Sequence, residues 1–129
     1  MDRTLPKAEW THAAHFAAAL VLVARHGDAD VRRIMPQIIR AYNEATGVAN
    51  TDHGGYHETI TLASIRAAAR WLEASTEPTL AATCASLLAG PLGNSDWLLH
   101  YWTRARLFSV AARRAWCPPD AVPAAMFDF

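Results

Sequence analysis

Gly27, Gly47 and the pair Gly90-Pro91 each close a run whose apolar residues recur every three or four positions. Glycine reaches the left-handed conformation in which many helices end, and proline cannot carry a helix on. No stretch alternates apolar and polar residues for long enough to make a strand. The stops therefore predict an all-α fold: a four-helix-type bundle followed by short C-terminal helices and an extended tail, in a single domain over residues 1–129.

The first helix is expected over residues 6–26, with Thr4 as cap, Pro6 in the first turn and Gly27 as stop. Its stretch "FAAALVLVA" (16–24) is apolar on nearly every face, which predicts the central helix of the bundle. That run is about half the length that a bilayer span needs, so no membrane partner is expected. The second helix opens at Asp28 or Asp30 and ends at Gly47, with Val31, Ile34, Met35, Ile38, Ile39 and Tyr42 at helical spacing. Pro36 inside it removes one backbone donor and predicts a break or a bend within the preceding turn. The third is expected from near Tyr56 to about Ala74, with Leu62, Ile65, Ala69 and Leu72 as its stripe. The fourth starts at a Ser75 or Thr76 cap and turns Leu80, Cys84, Leu87 and Leu88 inward. "WLLHYW" and "SVAARRAW" read as two short helices, the second capped by Ser109. The proline-punctuated tail "CPPDAVPAAMFDF" is expected to lie over a groove, on its own chain or on a twin; the second arrangement predicts a homodimer.

Composition narrows the function classes. Apolar residues make up 52% and charged ones 19%, the balance of a globular chain. Twelve basic residues against twelve acidic ones argue against a general nucleic-acid binder. Residues 101–116 mix arginines with aromatics, which can bind single strands. They read instead as aromatic core contacts with a solvated basic face. Cys84 and Cys117 form no CxxC pair and the start shows no secretory pattern, so a reduced, cytoplasmic protein is expected.

The stretch "NTDHGGYHETIT" (50–61) holds more ionisable and hydroxyl groups than a connecting loop requires. Glu58 stands one turn before Leu62, and His57 one turn before Thr61. On the first helix His12 stands one turn before Phe16, with Glu9 a turn further back and His15 facing inward beside it. In an up-down bundle the first and third helices point the same way, so these first turns meet beneath the loop. Buried ionisable groups persist only when paired, hydrogen-bonded or metal-bound.

Three readings of that end stay open. His12, His15, His57 and Glu58 can supply nitrogen and oxygen ligands to a divalent metal (Zn²⁺, Mn²⁺, Fe²⁺ or Ni²⁺), leaving a position for water. The same groups can form a metal-free polar network, or line a solvated helix end. In the catalytic version His57 and Glu58 do acid–base work, and Tyr56 donates to a developing oxyanion. Asn50 and Asp52 make Asx-type turns, and Gly54-Gly55 permit positive φ or close approach to a ligand. Arg66 pairs with a nearby glutamate or holds a substrate carboxylate or phosphate.

Three segments, "EWTHAAHFAAAL", "IRAYNEATGVANTDHGGYHETIT" and "HYWTRARLFSVAARRAW.PPD", resemble a family of small bacterial helical proteins of about this length. The resemblance spans nearly the whole chain and brings no activity with it. It singles out Glu9, His12, His15, Tyr42, Asn43, Glu44, Asn50, Thr51, Asp52, Tyr56, His57, Glu58, Thr59 and Arg104. The expected function is a small enzyme with a polar site, metal-bearing or acid–base, between the first turns of the first and third helices. The alternatives are a module that binds an anionic small molecule without chemistry, and a helical protein-interaction module.

Overall fold

The computed structural model describes residues 12–51, 54–94 and 96–127, with side chains from His15 onward. Helices carry the fold, and among the described residues there is no strand: α1 (His12–His26), α2 (Asp28–Ala45), α3 (Glu58–Ala74), α4 (Leu80–Ala89), α5 (Arg104–Leu107) and α6 (Val110–Arg114). Short 3₁₀ turns at Pro91–Gly93, Trp97–His100 and Ala125–Phe127 complete it. No described helix is long and apolar enough to cross a membrane.

Gly27 does two jobs at the first corner. At φ 83° its amide reaches back to the Val23 carbonyl (2.8 Å), while its own carbonyl accepts from Val31 (3.1 Å). One residue thus closes α1 and opens α2. Asp28, at the start of α2, then takes Arg32 at 2.8 Å and Arg66 of α3, tying the corner to the third helix.

Of the break or bend expected at Pro36, the break is absent. α2 runs continuously from Asp28 to Ala45, with Pro36 itself buried among Val31, Met35 and Tyr42. These anchors lie on both sides of the proline and pack against α1 and α3. A break would have expelled one set of them from the core, at more than the value of one missing hydrogen bond.

The central helix is α3, not α1. It packs against α1, α2, α4, α6 and the terminal turn. Its buried face is Thr59, Ala63, Ile65, Ala67, Ala68 and Ala69, so the side that faces neighbours is mostly alanine. Small side chains let several elements approach one axis; the leucines that hydrophobicity alone favoured, Leu62 and Leu72, are only half-buried. α1 buries a single stripe, Phe16, Ala19, Leu20 and Val23.

α4 starts later than expected. Pro78 disfavours helical backbone in the residue before it, and Thr79 caps the helix by accepting the Ala82 amide (3.1 Å). Ser75 instead meets Thr83 (3.1 Å). Beyond α4, "WLLHYW" forms a 3₁₀ turn rather than an α-helix, and α5 is an additional element capped by Thr103. Ser109 caps α6 as expected, accepting the Ala112 amide at 3.1 Å.

The tail closes on its own chain. Phe127 is 2% exposed. Its ring lies 5.0 Å from Trp102, 5.3 Å from Tyr101, 6.2 Å from Trp116 and 6.5 Å from Trp97, centroid to centroid. Arg66 holds the neighbouring Met126 carbonyl at 2.7 Å. The groove that the described tail covers is therefore on its own chain. Phe129 lies outside the described residues.

Candidate functional site

The 50–56 loop is built around one amide. The Asn50 side-chain oxygen accepts from the Asn43 side chain (2.9 Å) and from the Tyr56 amide (3.0 Å), while its nitrogen donates to the Arg40 carbonyl (3.3 Å). Asn50 is thereby the staple that fixes the loop on α2. The Thr51 amide donates to the Gly54 carbonyl (2.9 Å), and Gly55 follows at φ 80°. A Cβ on Gly55 would stand 2.5 Å from the Ala49 carbonyl oxygen and 2.8 Å from the Asn50 Cα, so glycine is obligatory there.

His57 caps α3 rather than belonging to it. Its Nδ1 accepts the Ile60 amide (3.1 Å), which places the ring proton on Nε2, and Nε2 donates to the Leu107 carbonyl (2.7 Å). Burial disfavours the charged ring and lowers its pKa; the Leu107 bond opposes this, and the Arg113 charge adds to the lowering. His57 is therefore a neutral imidazole with both nitrogens occupied by backbone. Two more residues fasten the same turn to the C-terminal segment. The Thr59 hydroxyl donates to the Ala115 carbonyl (2.9 Å) and accepts the Cys117 amide (3.0 Å). Arg113 donates to the carbonyls of Gly55 (3.0 Å) and Tyr56 (3.1 Å).

Above these bonds lies a cavity of about 390 Å³. Its apolar wall is Ala19 from α1, Met35 and Ile39 from α2, and Ile60 and Ile65 from α3. Its polar groups are His15, Tyr42, Asn43, Tyr56, His57, Thr61, Ser64 and Arg113. His15 and Gly55 are exposed and form part of the open rim, whereas Tyr42, Tyr56 and His57 are buried. His15 of α1 lines the same cavity as His57, Ile60 and Thr61 at the start of α3. The Tyr56 hydroxyl donates to the Glu58 carboxylate, and the Arg40 guanidinium lies over its ring at 4.4 Å. Burial, then the bond to Glu58 and the charge of that carboxylate, push the phenol far above its usual range, so Tyr56 keeps its proton.

The expected site residues divide. His15, Tyr56 and His57 line one cavity, and Glu58 joins through Tyr56. The His12 side chain, Glu9 and Asp52 lie outside the described residues. Among the described residues there is no group of three or more His, Cys, Asp or Glu able to hold a metal. Arg66 is elsewhere, spent on Asp28 and the Met126 carbonyl. Arg104 is exposed beside Phe108, its guanidinium 5.8 Å from the ring centre. Neither arginine lines the cavity. In their place stands Arg113, one of the arginines of residues 101–116 that the sequence reads as a solvated basic face. Thr61 and Ser64 were also missed; both fall at helical spacing after His57, on the face where α3 meets the cavity.

Comparisons of the chain with protein-family models, with curated proteins and with solved structures find no match.

Proposed function

We propose that the protein is a small-molecule binding module whose ligand places an apolar body in the cavity between α1, α2 and α3. The observation that carries this reading is the cavity itself. It is preformed, largely walled by Ala19, Met35, Ile39, Ile60 and Ile65, and of the size range that holds small ligands, roughly 300–1,000 Å³. Binding is favoured over catalysis because the candidate catalytic groups already have partners. His57 has no free nitrogen, and the Tyr56 hydroxyl is committed to Glu58.

Calorimetric titration with 1-octanol, a neutral apolar probe, tests the reading alongside the Ser64→Phe variant. Ser64 lines the cavity and, among the described residues, its hydroxyl bonds only within α3, to the Ile60 carbonyl at 2.7 Å, so a phenyl ring there fills space without breaking a described link between elements. The wild type should bind 1-octanol, and the folded variant should bind it at least tenfold more weakly. Equal binding by both would contradict the proposal.

A second reading, an acid–base or metal-dependent enzyme, is favoured by Tyr56, which lines the cavity and bonds Glu58 behind it, with His15 lining the same cavity. In that reading His12 and His15 would hold a divalent metal. Metal analysis of untagged protein separates the two: a stoichiometric metal supports the enzyme, and its absence at saturating supply rejects the metal-dependent form.

A further inference from the structure

Among the described residues that line the cavity, Arg113 brings a fixed positive charge and no acidic residue stands against it. Arg113 has no carboxylate partner among the described residues: its hydrogen bonds are the two from a single guanidinium nitrogen to the Gly55 and Tyr56 carbonyls. Neutral carbonyls orient a guanidinium without neutralising it, and they leave its other N–H donors for a planar, two-oxygen acceptor. Glu58, two residues beyond the Tyr56 carbonyl that Arg113 holds, is occupied by the Tyr56 hydroxyl. The Arg113 charge is also felt at the buried His57 ring, which it helps to keep neutral.

We infer that the ligand of this cavity is an amphipathic monoanion, a carboxylate on a short apolar body, whose head is held by Arg113 while its body lies against Met35, Ile39 and Ile65. The inference rests on the binding reading above and adds the chemical class and the residue that selects it. The single described guanidinium on the wall accounts for one head group. The apolar lining of Ala19, Met35, Ile39, Ile60 and Ile65 disfavours ligands that are polar throughout, because burying an unpaired polar group is unfavourable.

Octanoate, 1-octanol, octylamine and octyl phosphate share one tail and differ in the head, so calorimetric titration of the full chain with all four reads the head alone. Wild-type protein should bind octanoate at least about tenfold more tightly than 1-octanol, the increment of one charge-assisted hydrogen bond. Octylamine should bind least. Octyl phosphate at equal or greater affinity than octanoate would overturn the carboxylate assignment. In Arg113→Gln the ratio of octanoate to 1-octanol affinity should fall to about one, whatever the change in absolute affinity; Arg113→Lys should keep part of the preference. Equal affinity of wild type for octanoate and 1-octanol, or a preference that survives Arg113→Gln, overturns the inference and leaves the binding reading standing. Failure of every probe to bind removes both. If Arg113→Gln does not fold, the wild-type comparison decides alone.

Discussion

Removing the His57 ring would strand two backbone groups at once, the Ile60 amide and the Leu107 carbonyl, in a place where water has little access. His57→Ala should therefore lower stability by about 1–3 kcal/mol in urea unfolding. A loss below a few tenths of a kcal/mol would show that neither bond matters. The ring also sets a pH dependence. The unfolded chain takes up its proton near the ordinary histidine value of 6.5, and the folded chain takes it up only at lower pH. Between those values the unfolded state binds more protons, so this contribution to stability is full above 6.5 and declines as the pH falls below it. The variant should lack that decline, which the difference between the two unfolding profiles from pH 7.5 to 5 measures directly. That His57 is a buried polar group needing a partner was legible from its place one turn before Thr61. Its partner was not, since Leu107 offers a backbone carbonyl fifty residues away, and a carbonyl has no signature in a sequence.

Within elements, punctuation that acts locally was readable and continuity that depends on burial was not. Gly27 and Gly47 end their helices at φ 83° and 81°, a requirement that any sequence reading finds. Pro36 also acts locally, but its effect is outweighed by the anchors either side of it. The same competition predicts the outcome of Pro36→Ala. Alanine is about 3 kcal/mol better than proline in a helix interior, and the two ring methylenes lost from the core cost about 1.6 kcal/mol together. The variant should be more stable by about 1 kcal/mol in thermal or denaturant unfolding. Destabilisation would mean that α2 is fitted around the ring. The alanine face of α3 was hidden for a related reason: hydrophobic strength points to leucine, whereas the position of a helix among several neighbours depends on how closely they approach.

At the scale of the whole molecule, residues 101–127 return to lock the bundle. Trp102 bonds the Cys117 carbonyl (2.8 Å), Thr103 is clasped twice by Asp120 (2.8 and 2.7 Å), and Phe127 enters the ring of aromatics. Phe127→Ala should cost about 3–5 kcal/mol, the range for emptying a buried phenyl site. Light scattering on the variant and the wild type should then show whether the uncovered groove recruits a second copy; the wild type keeps that groove filled by its own tail. The chain-end prolines marked the tail as extended, and the aromatics marked it as buried, yet which groove it fills is a long-range property of the packed chain. The site followed the same pattern: its end of the bundle was legible from His15 and His57, and Arg113 was not, because α6 reaches it only after the C-terminal segment has folded back. The central claim, that this end holds a small molecule, is tested most directly by titrating 1-octanol into ¹⁵N-labelled protein and following the amide resonances. The account predicts saturable shifts centred on Ala19, Ile39, Ile60 and Ser64, with the amides of α4 unmoved. Shifts that do not saturate, or that centre on exposed Phe108 and Val110, would contradict it.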